Sequence, residues 1–112
     1  MPTNVEKLRP AAFHILLALA GGDLHGLGIA KAVDEATDGS FTLGPGTLYR
    51  HLKELARDGH IVEVEPPVED EDPRRRFYRI SERGRELAQV EAARLARIVD
   101  VARENRVLPD AS

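Results

Sequence analysis

Residues 43–62 constrain the fold more than any other stretch. Leu43, Gly44, Pro45 and Gly46 lead into a run from Thr47 to Arg57 that stops at Asp58 and Gly59 and passes at once to Ile61 and Val62. Pro45 opens a helix sharply, because the first turn has no use for its missing N–H. Leu48, Leu52 and Leu55 share one face of that helix, while Thr47, Arg50, Lys53 and Arg57 fall elsewhere. A short helix with an apolar back and a basic, hydrogen-bonding front, followed directly by a strand, has the shape of an element that reads a DNA major groove. An amphipathic core helix with a solvated polar face fits the same periodicity.

The chain has 112 residues, 42% of them hydrophobic and 31% charged, which favours one soluble globular domain. No cysteine is present, so disulfides, thiolate metal sites and cysteine nucleophiles are excluded, and a reducing cytoplasm fits. No apolar run is long enough for a membrane span, and no signal peptide is expected. The net charge of −3 counts against nucleic-acid binding if taken alone. Its distribution says otherwise. Residues 63–72 hold six acids (Glu63, Glu65, Glu69, Asp70, Glu71 and Asp72) and no base. Residues 73–85 hold six arginines (Arg74, Arg75, Arg76, Arg79, Arg83 and Arg85) against the single acid Glu82. Exposed charges are screened beyond about 10 Å, so a local arginine block can act on an acidic protein.

A first helix is expected over residues 10–20, opened by Pro10, ended by Gly21 and Gly22, apolar nearly all round and therefore buried. Thr3 and Glu6 before it have capping-box spacing. A second helix is expected from about His25 to Thr37, weakened by Gly26 and Gly28, whose presence points to close packing. Phe41–Leu43 reads as one short strand. The third helix should span roughly 46–58, with strands at 61–65 and 76–80 joined by a long acidic loop. Ser81 caps a last helix, with Glu82 at its positive end, running to about Arg106 and followed by a frayed tail from Leu108. Leu87, Val90, Leu95, Ile98 and Val101 give that helix an apolar band too wide for the surface of a small monomer, which predicts a dimer interface.

Three helices followed by a β-hairpin and a further helix is the order of a winged helix-turn-helix. The predicted fold is mainly α with a small β-hairpin: a winged DNA-binding part over residues 1–81 and a C-terminal dimerisation helix and tail over 82–112. At this point the chain resembles the PadR family of bacterial transcription regulators, over roughly residues 10–105. The resemblance rests on His25-Gly26 with Ile29-Ala30-Lys31, Gly46-Thr47-Leu48-Tyr49 with Leu52 and Leu55, Asp58-Gly59-His60-Ile61, and Arg74 to Ser81 with Gly84. Leu27 stands where an aromatic residue often follows His-Gly, and His60 stands where an aliphatic one is usual. The single C-terminal helix is similar to that of short-form members. The resemblance implies a homodimer joined through that helix. It also implies a palindromic double-stranded DNA operator, usually a repressor role, and a small-molecule effector able to relieve repression.

Thr47 lies in the first turn of the third helix, where its hydroxyl and free N–H groups can face a phosphate. Tyr49 can set its ring against the core edge and its hydroxyl on the DNA backbone. Arg50 is the best base reader, since arginine to guanine is the commonest specific contact. Lys53, one turn on, is divided between base and phosphate. Arg74, Arg75 and Arg76 reach phosphates or the minor groove from the wing, unless the preceding acids neutralise them as a salt-bridged surface strand. The four histidines lack metal-ligand spacing, so no metal or other cofactor is expected: His14 reads as core, His25 as a helix start, His51 as facing DNA or solvent, and His60 as the bend into the wing. Ile15, Leu16, Val90 and Ile98 are candidates to line an effector pocket. Arg94, Arg97, Glu91, Asp100 and Glu104 could pair between subunits. No catalytic constellation is visible. An alternative is a winged helix that contacts proteins and has no DNA role.

Overall fold

The computed structural model describes residues 8–70, 72 and 74–110. Thr3 and Glu6, Glu71 and Pro73, and the last two residues lie outside the described residues. The elements are α1 (Pro10–Ala20), β1 (Leu24–His25), α2 (Gly26–Ala36), α3 (Pro45–Arg57), β2 (Ile61–Val64), β3 (Phe77–Ile80) and α4 (Glu82–Glu104). The helix order is as expected, and the boundaries agree within the usual one or two residues.

α1 is the centre of the molecule, touching α2, α3, α4 and β3. It buries Ala12, Phe13, Ile15, Leu16 and Leu19. Leu17 is 48% exposed, so the helix is not buried all round: its neighbours cover three sides and leave one open. α2 is started by His25, whose Nδ1 accepts the Gly28 N–H at 3.2 Å. Ile29 and Val33 seat it on α1. Thr37 closes it twice, donating from Oγ1 to the Val33 carbonyl at 2.8 Å and accepting the Phe41 N–H at 3.2 Å.

Phe41–Leu43 is not a strand. The Phe41 N–H is held by the Thr37 turn, its ring lies 4.5 Å from that of His14, and Leu43 is buried in the core. The third strand is instead β1, and the sheet runs β1-β3-β2, antiparallel throughout. Leu24 faces Tyr78, while Ile61 faces Ile80 and Val64 faces Phe77. Beside β1, Asp23 takes a bidentate grip from Arg79, at 3.0 Å to Nε and 2.7 Å to Nη2. That hydrogen bonding holds the Asp23 carboxyl below the usual carboxylate range.

Ser81 ties the wing to α4. Its hydroxyl accepts the Gly84 N–H at 3.0 Å and donates to the Gly59 carbonyl at 2.6 Å, joining the end of α3 to the start of α4. Gly84 lies so close to the His60 carbonyl oxygen that a Cβ there would overlap it. Ala88 and Glu91 continue the buried side of α4; beyond Glu91 the helix is mostly exposed. It ends two residues before the expected Arg106, because Arg106 turns to the left-handed φ of 61°. The N–H groups of Val107 and Leu108 then bond back to the Ala102 carbonyl.

Candidate nucleic-acid interface

α3 divides cleanly into a back and a front. Leu48, Leu52 and Leu55 are buried against the core, while Thr47, Arg50 and Lys53 are exposed. Its first turn carries no acid, so the partial positive charge of its N-terminus has no carboxylate from its own turn beside it. Tyr49 is 54% exposed. A Cβ on Gly26 would come within 2.9 Å of the Tyr49 hydroxyl oxygen, so the bare glycine at the start of α2 is what lets the phenol lie there. Tyr49 also lines a cleft of about 310 Å³ that it shares with Leu27, Tyr78 and the three arginines Arg74, Arg75 and Arg76. Four residues placed at the interface by the sequence, Tyr49, Arg74, Arg75 and Arg76, thus meet around one depression, with Asp72 among them. Leu27, 68% exposed at its edge, was not singled out for it; its apolar type gave no sign of an outward position.

His51 corrects an expectation. It faces neither DNA nor solvent but is buried, with Nδ1 3.9 Å from the Glu54 carboxylate. Its place in the helix, three residues beyond Leu48 and four before Leu55, puts it on the apolar side. Burial holds its imidazole below the usual range; the charges of Arg50 and Arg9 act the same way and Glu54 opposes them.

The arginine block splits into separate roles. Arg79 is locked on Asp23 across the sheet. Arg74 pairs with Asp72 at 3.4 Å and Arg75 with Asp70 at 3.3 Å, so the loop acids do neutralise part of the wing. Among the described residues, no acid pairs with Arg76.

On α4, Leu87 and Leu95 are half-buried against the molecule's own core, whereas Val90, Ile98 and Val101 are 62%, 51% and 37% exposed. The charged residues pair along the helix: Glu91 takes a bidentate grip from Arg94 at 2.7 and 2.9 Å, and Asp100 lies 3.8 Å from Arg103. A groove of about 930 Å³ runs between α1, α3 and α4, edged by Arg9, His51, Arg83 and Val90. Ile15 and Leu16 cannot line it, being sealed in the core at 0% exposure. Among the described residues, no helix is long and apolar enough to cross a membrane.

Residues 15–90 match the model of the PadR-like family of transcriptional regulators. An uncharacterised 37.1 kDa protein in a transposon of Streptomyces fradiae is 34% identical over 92 residues, which are 82% of this chain. The chain spans only a quarter, 25%, of that relative's length. A solved transcriptional regulator from Clostridium thermocellum superposes with a TM-score of 0.69 at 26% identity, covering 84% of this chain and 87% of its own. PadR of Bacillus subtilis in complex with operator DNA gives 0.62 at 21% identity, covering 72% and 45%. The fold is a winged helix, and the chain belongs to the PadR-like family of transcriptional regulators.

Proposed function

We propose that the protein is a repressor that binds a palindromic DNA operator as a homodimer in the cytoplasm. The observation that carries this reading is the cleft where Tyr49 of α3 meets Arg74, Arg75 and Arg76 of the wing. A helix with a polar front and a basic hairpin beside it can engage adjacent faces of one duplex, the helix in the major groove and the hairpin on phosphates or in the minor groove. Arg50 then reads a guanine edge, Lys53 serves base or phosphate, and Thr47 and Tyr49 hold the backbone. The fold shared with a regulator solved on its operator supports duplex DNA as the partner.

In this reading residues 1–81 are the DNA-binding part, and 82–112 join two copies through Leu87, Val90, Leu95, Ile98 and Val101. The exposed apolar side chains of α4 support a second copy as their cover. At 1.5 Å per residue the helix is about 35 Å long, enough to hold two α3 helices in successive major grooves about 34 Å apart. The groove behind α3 is the place for an effector, since a ligand there would press on the back of the reading helix.

Selecting bound sequences from a random DNA pool tests the proposal. The expected product is a two-fold symmetric motif with half-sites one helical turn apart. Enrichment of no sequence, together with no salt-sensitive binding to any duplex, would sink the DNA reading in favour of a protein-contacting winged helix.

A further inference from the structure

We propose that the wing carries its own substitute for DNA phosphate: Asp70 and Asp72 occupy Arg75 and Arg74 in the free protein and must be displaced before those arginines can bind a duplex. The inference rests on the DNA-binding reading above and adds to it a device that suppresses non-specific binding.

The two pairs are unequal. The Asp70 side chain is only 5% exposed, and its Oδ1 accepts both from Arg75 Nη1 at 3.3 Å and from the Asp72 N–H at 3.1 Å. Its Oδ2 is buried and, among the described residues, has no hydrogen-bond partner. A carboxylate so enclosed is costly without its cation, which makes Arg75 the tightly held arginine. Asp72 accepts the Arg74 N–H at 3.0 Å and Arg74 Nε at 3.4 Å, but the Arg74 side chain is 90% exposed and leaves easily. These contacts, the backbone N–H first, hold the Asp72 carboxyl below the usual carboxylate range, so it is ionised at neutral pH. Arg76, with no acid paired to it among the described residues, completes a graded set with the loosely held Arg74 and the tightly held Arg75.

Carboxylate and phosphate take a guanidinium in the same planar, hydrogen-bonded way, so the two compete directly. At a distance the paired charges cancel, and the wing draws random DNA weakly. At contact, with α3 seated in its groove, a phosphate held in place can take over the guanidinium. Non-specific binding is almost wholly electrostatic, so the internal acids weaken it more than they weaken operator binding.

The test uses the full chain and a random duplex over a salt series. Replacing both acids, Asp70→Asn with Asp72→Asn, keeps an oxygen for the Asp72 N–H and removes two charges. The expected result is about tenfold tighter binding near 50 mM salt, with a logarithmic salt slope steeper by about one to two. A control, Glu63→Gln with Glu65→Gln, removes the same charge from the same hairpin and is expected to change binding by less than about threefold. Equal gains in both variants would assign the effect to net charge and overturn the pairing. Salt-dependent binding by the wild type with no gain in the Asp variants would overturn it too. Failure of every version, wild type included, to bind at low salt would instead reject the DNA reading and this inference with it. If circular dichroism shows that the double variant is unfolded, Asp72→Asn alone carries the test, with about half the gain expected.

Discussion

Arg50 and Arg75 are both arginines of the candidate interface, and they are held in opposite ways. Arg50 stands on a helix whose back is fixed by Leu48, Leu52 and Leu55, and among the described residues no acid pairs with it. Arg75 stands in a loop and is occupied by a nearly buried carboxylate. The helix backbone therefore carries Arg50 at a fixed place, while in the proposed reading the wing presents most of its charge only on contact. Position is needed for reading bases; charge is needed for holding phosphates, and charge that is always free would hold every phosphate alike. In the proposed reading the two tasks are divided between α3 and the hairpin, and Ser81 and Gly84 join the end of α3 and the wing to α4.

The largest effect should come from breaking that register. Gly84→Ala drives a Cβ into the His60 carbonyl and is expected to lower stability by about 3 kcal/mol in chemical denaturation, with DNA binding lost alongside. An unchanged denaturation midpoint would mean that the α4–wing junction tolerates repacking. Next in size, Arg50→Ala should weaken binding to the selected operator about ten- to a hundredfold, leave random duplex nearly unaffected and keep the melting temperature. Equal losses on both DNAs would make Arg50 a phosphate contact. A smaller loss is expected for Arg76→Ala: weaker binding to all duplexes and a salt slope shallower by about one, with the paired change Arg75→Ala and Asp70→Asn losing less because those two charges already cancel. A larger loss on random DNA for the Arg75–Asp70 double variant than for Arg76→Ala would erase the contrast between held and unheld arginines.

The smallest effect concerns pH. His51 is held below its usual range by burial, so the unfolded chain binds the proton more readily than the folded one. Stability is then fully present above about pH 6.5 and falls as pH drops through the window between that value and the lower folded-state value. Melting measured from pH 8 to pH 5 should show this decline, and His51→Leu should flatten it.

Much of this was legible along the chain because it is local chemistry. Pro10, Pro45 and Ser81 mark helix starts, His25 caps from its own side chain, and the leucine spacing of α3 names its buried face. The failures also have local causes. Phe41–Leu43 looks like a strand by residue type, but a single hydroxyl on Thr37 claims its backbone. β1 is two residues long and exists only because β3 has a free edge beside it. His51 reads as polar by type, although its position between Leu48 and Leu55 already pointed inward.

Caps, breaks and apolar periodicity act over a few residues, so residue order was enough to set the helices, the hairpin and the basic front of α3. Roles within the arginine block depend on partners brought together by folding. Arg79 is taken by Asp23, which lies 56 residues away along the chain and across a sheet from it. Arg75 lies within five residues of Asp70, yet the burial that makes their pairing firm belongs to the folded loop. Charge can be counted along a chain, but whether a charge is free is a property of its neighbours in space.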